Sequence, residues 1–260
     1  MIGAQQQMRF GQLPVGVYTD IQSLGQAAAE RAAFIMAQAI SARGYANVIL
    51  ATGNSQLSLY AALREMTDIE WNKVRIFHMD EYVGIKLDHS ASFRRYMHEK
   101  LVDIVNPAAF FPLNGDAADP EVECQRYAVL LQRHPADLCC LGFGENGHLA
   151  FNDPQFARFD DPERVKIVTL EEASRRQQVG EGYFSSLAEV PTHAITLTIP
   201  ALLSAGWMLA VVPEGRKAAA VKAALTGPIT TQCPASILRT VAHAELFLDR
   251  ESYSLVNKDN

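Results

Sequence analysis

The sequence predicts an α/β fold: one doubly wound domain with a mostly parallel sheet covered by helices on both faces. Three observations carry this expectation. Short apolar runs of strand length alternate with amphipathic helical segments along the chain. Those runs are apolar throughout rather than alternating, as strands buried on both faces are. Polar, glycine-rich stretches follow the runs directly, where open parallel sheets bind their ligands.

The elements follow in order. Val15 to Thr19 reads as an opening strand, and the Ala-rich segment Leu24 to Arg43 has apolar residues at helical spacing, with Gly44 as its stop. Asn47 to Thr52 is a second strand, followed by the turn Gly53-Asn-Ser-Gln and a helix from Leu57 to Met66, together a βα unit. Val74 to Met79 is a strand, and Ser92 to Val105 and Val122 to Gln132 are helices. Ala136 to Leu141 is a buried strand closed by Gly142-Phe-Gly-Glu-Asn-Gly147. Ala194 to Ile199 alternates β-branched residues, Met208 to Val212 is a buried strand, and Arg216 to Thr226 is a helix. Ala244 to Leu248 is expected as an edge strand. The stretch from Pro154 to Pro191 is rich in charge and Gln, and reads as a loop-plus-helix insertion covering a site, with 155–190 as the lid.

The length of 260 residues admits one large domain or two small ones. With no linker, repeat or low-complexity tract, residues 1–260 read as one. A composition of 48% hydrophobic and 20% charged residues excludes disorder and fibrous repeats. The 23 Lys and Arg against 29 Asp and Glu give a formal charge of -6, so nucleic acid and anionic membrane are poor first partners. Cys124, Cys139, Cys140 and Cys233 show no CxxC spacing and read as buried free thiols rather than zinc ligands. No apolar stretch is long enough to span a bilayer and the N-terminus lacks a signal pattern, so the expectation is a soluble cytoplasmic protein.

Four strand ends carry the polar residues. Thr52-Gly-Asn-Ser55 sets backbone N–H groups and two hydroxyls at a helix start, which suits a phosphate or serves simply to cap the helix. Met79-Asp-Glu-Tyr-Val-Gly84 places Asp80 and Glu81 after a strand, as acid–base chemistry requires or as a turn cap would. Gly142 to Pro154 holds His148 in a glycine-rich turn, with Asp153 five residues on and able to orient the imidazole. Val212-Pro-Glu-Gly-Arg-Lys217 starts a helix with two cations, which opposes the helix dipole unless an anion is bound, although a solvated lysine is the plain alternative. Together they describe a pocket for a small phosphorylated substrate undergoing proton transfer. Neither a metal nor an organic cofactor is required.

These segments resemble the glucosamine-6-phosphate deaminase (isomerase) family and, more distantly, 6-phosphogluconolactonase. The resemblance runs through MDEYVG at 79–84, DHxxSF at 88–93, LNG at 113–115, GxGxxGHxAFNxP at 142–154, the VP…T segment near Val190 to Thr198 and the GxKAxA pattern in the segment from Glu214 to Ala220. Lactonases typically read GHTASLFP where this chain has GHLAFNDP, which favours the deaminase side. The resemblance implies a three-layer α/β/α sandwich with a Rossmann-like sheet, and an aldose–ketose isomerisation with ammonia release. It implies Asp80 as the base between C2 and C1, His148 as the group opening the sugar ring, Asp153 in place of an orienting glutamate, and Thr52, Gly53, Asn54, Ser55 and Lys217 at the phosphate. Glu81 and Gly147 complete the expected substrate contacts. Sequence leaves homo-oligomerisation and the gluco or galacto preference open.

The chain also departs from the family pattern. Asn146 stands where DGH is usual, which removes a negative charge beside the imidazole and predicts weaker ring opening; in serine proteases the analogous Asp to Asn change costs about 10⁴ in rate. Asp153 is one methylene shorter than the usual Glu, and TGNSQ replaces a TGSTP-like run. Arg175 and Arg176 are the candidates for an arginine that clamps the phosphate from the lid. Arg164 and Lys166 match residue types used by allosteric members, but Gln155 or Phe156 replaces the expected serine, and allostery is not inferred. Two further readings stand beside the deaminase: a lactonase or other sugar-phosphate isomerase using His148, and a sugar-phosphate binder without turnover.

Overall fold

The computed structural model describes residues 1, 3–180 and 182–256. A hairpin of β1 (Gln6–Phe10) and β2 (Leu13–Tyr18) leads into α1 (Ile21–Arg43), whose start is fixed by a reciprocal pair of hydrogen bonds between Asp20 and Ser23. Such a capping box contributes about 1 kcal/mol. The helix ends at Gly44 in the left-handed region. Then follow β3 (Ala46–Leu50), α2 (Leu57–Glu65), β4 (Val74–His78) and β5 (Asp80–Tyr82). The expected helix from 92 to 105 is α3 (Phe93–Met97), which widens through a π turn at His98–Val102 into α4 (Asp103–Val105). The chain continues through β6 (Ala109–Phe111), α5 (Pro120–Arg133), β7 (Leu138–Leu141), β8 (Val165–Thr169), α6 (Glu172–Gly180), β9 (His193–Leu197), α7 (Ile199–Leu203), β10 (Trp207–Val212), α8 (Ala218–Thr226) and β11 (Ala244–Asp249).

Eight strands form the main sheet in the order β1-β2-β11-β10-β7-β3-β4-β6, parallel except for the β1–β2 hairpin. Helices cover both faces. On one side Leu24, Ala28 and Ile35 of α1 and Leu59 and Leu63 of α2 meet Val48, Leu50 and Ile76. On the other, Tyr127 and Leu131 of α5, Leu202 of α7 and Val221 and Leu225 of α8 meet Ile49, Phe77 and Leu141. Successive residues of β3 therefore point to opposite helical layers, which is why its sequence is apolar rather than alternating.

Two expectations are corrected. The strand from 244 to 248 is not at an edge: β11 lies between β2 and β10, paired in parallel with both and buried along its length. The segment 155–190 is not loop and helix alone, because Val165–Thr169 pairs with β9, and β9 pairs with β5, in a separate three-stranded antiparallel sheet. Its apolar residues Tyr82, Val168, Phe184, Val190 and Ala194 form a small core of their own.

Among the described residues no helix is long and apolar enough to cross a membrane, and no cluster of three potential metal ligands occurs. All four cysteines are free and buried, and burial pushes each thiol up from its ordinary range.

Candidate functional site

The main sheet reverses direction of growth between β3 and β7: β4 and β6 extend it one way, β10 and β11 the other. Loops that leave neighbouring strands at such a switch point part from one another and open a crevice. A cleft of about 260 Å³ occupies that place, lined by Thr52, Gly53, Asn54 and Ser55 after β3, Asp80 after β4, His148 and Asp153 after β7, and Arg216 and Lys217 after β10.

At the β3 end, Gly53 takes a φ of 102° and the chain passes through a 3-10 turn at Asn54–Gln56 into α2. No side chain caps either helical start, so the simple capping role open to these residues is not what they perform. Gln56 is buried beneath the turn and donates to Ser55 Oγ (3.2 Å) and to the Val211 carbonyl (3.3 Å). Tyr96 donates its hydroxyl to the Gly53 carbonyl at 2.8 Å, tying the turn to α3. Neither residue was expected from sequence; the DHxxSF run, whose Ser92 and Phe93 line the cleft at the start of α3, was the signal that this helix reaches it.

Asp80 and Glu81 separate completely. Asp80 opens β5 where the chain passes from the main sheet to the small one; it is 7% exposed, and its Oδ1 is buried with no hydrogen-bond partner. Burial, with a smaller contribution from the Glu81 charge, raises its pKa to about 8. Glu81 points the other way. It accepts from the backbone N–H groups of Tyr82 (3.0 Å), Phe93 (3.0 Å) and Arg94 (2.9 Å) and from Ser92 Oγ (2.8 Å). It therefore anchors the start of α3 and does not line the cleft, contrary to the expectation of substrate contact. The turn-cap alternative describes Glu81, not Asp80. His78 is no rival base: its Nε2 accepts from Leu113 N–H at 2.8 Å, and full burial lowers its pKa to about 3.

Facing Asp80, the 142–154 loop folds back on itself. Gly144 N–H donates to the His148 carbonyl and Gly147 N–H to the Gly144 carbonyl. The imidazole lies over Gly144 so closely that a Cβ there would fall 2.1 Å from the ring. His148 Nδ1 is 3.0 Å from Asp153 Oδ1, and the imidazole side chain stays 33% exposed to the cleft. Although burial opposes it, hydrogen bonds from His148 and Asn146 hold the Asp153 carboxyl below the usual carboxylate range. Asn146 does not line the cleft; its amide donates to Asp153 Oδ1 at 2.8 Å, the same oxygen that the imidazole approaches. Gly147, also expected at the substrate, faces away: it has a φ of 82°, a Cβ there would meet Cys233 Sγ at 2.6 Å, and its carbonyl accepts from Ala235 N–H.

The open side carries Leu170, Arg175, Gln178, Tyr183 and Val190. Of the two arginines weighed from sequence, Arg175 reaches the cleft and donates to the carbonyls of Leu187 and Val190, whereas Arg176 is turned outward and pairs with Glu172. Arg216 is bracketed by Glu145 and Glu214. Lys166, noted from sequence, bonds Asp161 and the Phe156 carbonyl, outside the cleft.

Comparison with known proteins points the same way. Residues 19–247 match the family model described as glucosamine-6-phosphate isomerases/6-phosphogluconolactonase. Glucosamine-6-phosphate deaminase of Exiguobacterium sibiricum is 37% identical over 210 residues, covering 81% of each chain. That of Bacillus cereus strain B4264 is 36% identical over 209 residues, 80% of this chain and 78% of that one. A solved monomeric glucosamine-6-phosphate deaminase superposes with a TM-score of 0.86 at 30% identity, covering 95% of this chain and 100% of that one. A 6-phosphogluconolactonase from Shewanella baltica shares the fold, with a TM-score of 0.73 at 21% identity over 90% of this chain and 97% of that one.

Proposed function

The chain belongs to the glucosamine-6-phosphate isomerase/6-phosphogluconolactonase family, and from that premise we propose that it is an amino-sugar-phosphate isomerase-deaminase, converting glucosamine 6-phosphate or a close isomer, with water, to fructose 6-phosphate and ammonia. The observation that carries the reading is Asp80, a buried carboxyl with an unclaimed oxygen, facing a histidine–carboxylate pair across a cleft at the sheet's switch point.

The steps assigned to the residues are these. The substrate phosphate sits against the Thr52–Ser55 turn, Lys217 and Arg175. His148 relays a proton to the ring oxygen as the C1–O5 bond opens, with Asp153 holding the imidazole. Asp80 takes the proton from C2 and returns it to C1, leaving an imine at C2. Water adds at that carbon, and ammonia leaves as the ketone forms. Residues 155–190 supply the lid through Leu170, Arg175, Gln178, Tyr183 and Val190. A cytoplasmic location belongs to the same proposal, since a sugar phosphate is too highly charged to cross a bilayer unaided.

The test is ammonia release from glucosamine 6-phosphate by the parent and by Asp80→Asn. Release by the parent and its loss in the variant support the assignment; equal rates would remove Asp80 from the chemistry. A second reading rests on the His148–Asp153 pair, which suffices for a base acting on water without Asp80: hydrolysis of 6-phosphogluconolactone. Lactone hydrolysis above the spontaneous rate, unaffected by Asp80→Asn, would favour it.

A further inference from the structure

We propose that Gln56 and Tyr96 are positioning residues for the substrate phosphate: they occupy acceptor atoms of the Thr52–Ser55 turn, so that the turn faces the cleft with donors. The inference rests on the phosphate subsite assigned above and adds to it the two side chains that prepare the turn for an anion.

A phosphate oxygen accepts hydrogen bonds, so a turn that holds it must present N–H and O–H groups and direct its own acceptors elsewhere. The acceptors here are taken from behind. The Gly53 carbonyl receives both Tyr96 Oη at 2.8 Å and Gln56 N–H at 3.1 Å, one for each of its lone pairs. Tyr60, whose ring lies 6.3 Å from that of Tyr96, donates its hydroxyl to the Ala51 carbonyl, and Leu57 N–H donates to the Asn54 carbonyl. The N–H groups of Asn54 and Ser55 meet no acceptor among the described residues, as at the open start of a helical turn.

Gln56 does the same for the serine hydroxyl. It is fully buried and lies outside the cleft lining, with Nε2 placed 3.2 Å from Ser55 Oγ and 3.3 Å from the Val211 carbonyl. A carbonyl can only accept, which sets the nitrogen of the amide, not its oxygen, on that side. Ser55 Oγ therefore accepts from Gln56, and its own proton is left for a partner on the cleft side, which Ser55 lines. The amide fits because Gly142 has no side chain: a Cβ there would lie 3.1 Å from both Nε2 and Ser55 Oγ. The arrangement leaves Gln56 Oε1 buried without a hydrogen-bond partner among the described residues, which is unfavourable. Space-filling alone needs no amide, and an apolar side chain of that length would occupy the site without stranding an oxygen.

The experiment measures binding of inorganic phosphate by calorimetry, together with kcat and KM for glucosamine 6-phosphate, in the parent and four variants. These are Gln56→Met, Ser55→Ala, the two combined, and Tyr96→Phe. Gln56→Met keeps the length and removes the donor; it is expected to weaken phosphate binding and raise KM by about tenfold, while kcat falls less than about threefold. Tyr96→Phe is expected to do the same by about fivefold, by releasing the Gly53 carbonyl. The combined variant is expected to bind phosphate within about twofold of Ser55→Ala, because Gln56 acts through that hydroxyl. A glutamine that merely supports the fold would add its own loss to that of the serine. Unchanged phosphate affinity in Gln56→Met or Tyr96→Phe overturns the proposal, as do losses that multiply in the combined variant or that fall on kcat alone. Should Gln56→Met fail to fold, Tyr96→Phe, which removes a single oxygen, decides. A parent that binds phosphate but releases no ammonia defeats the functional reading instead, and calorimetry still tests the positioning roles; a parent that binds no phosphate overturns them.

Discussion

The two walls of the cleft treat a carboxyl group in opposite ways. On the β4 side Asp80 is buried, leaves an oxygen unpartnered, and has its pKa raised to about 8. On the β7 side Asp153 is equally sheltered but receives Asn146 and His148 on one oxygen, and its pKa is lowered. Burial is common to both, so donors make the difference. A carboxyl starved of donors trades protons near neutral pH, and one supplied with them remains a fixed charge that orients its neighbour.

The largest expected effect comes from removing the exchanging group. Asp80→Asn should lower kcat for ammonia release by about 10³-fold or more, with binding of inorganic phosphate, followed by calorimetry, left intact. Unchanged kcat would mean that the raised carboxyl is a bystander. Next, Asp153→Asn should cost about 10²-fold to 10⁴-fold in kcat by allowing the wrong imidazole tautomer. A loss confined to KM would show that Asp153 serves binding rather than ring opening.

The same contrast has a stability signature. A carboxyl whose folded pKa lies above its unfolded value binds more protons when folded, so its contribution is fully present below about pH 4 and is lost as pH rises through about 8. Asp80→Asn removes that penalty. Its melting temperature should exceed the parent's by a margin that widens from pH 5 to pH 9, at about 2–4 °C for each kcal/mol released. A margin independent of pH would contradict the assignment. In the free enzyme, kcat/KM should rise with pH along a limb governed by Asp80. The smallest contrast separates two neighbouring arginines: Arg175→Ala should raise KM about tenfold, and Arg176→Ala, which removes only an exposed i,i+4 pair, should stay within about twofold.

Sequence made much of this legible and hid the rest for identifiable reasons. Strands such as Asn47-Val-Ile-Leu and Leu138-Cys-Cys-Leu are readable because burial on both faces demands unbroken apolar runs. The position of β11 was not, because order along the chain says nothing about order across the sheet. β8 was missed because Val165-Lys-Ile-Val-Thr is short, carries a lysine and a threonine, is only partly buried, and lies inside a charged stretch. At the cleft, Asp80 and Glu81 are chemically alike and adjacent in sequence; only the direction each side chain leaves β5 decides that one is starved of donors and the other saturated. Asn146 reads as a lost charge until its amide is seen to face Asp153.

The four shielded thiols turn the native chain into a quiet background for chemistry at a chosen point. The thiolate is the species that reacts with maleimides, and burial that raises a thiol's pKa keeps it from forming at neutral pH. A cysteine introduced at Arg176, whose side chain is 68% exposed on α6, would take a fluorophore selectively. Energy transfer from that dye to a second one on the surface of α1 would test whether the segment proposed as the lid moves when glucosamine 6-phosphate is added, without removing any native residue of the cleft.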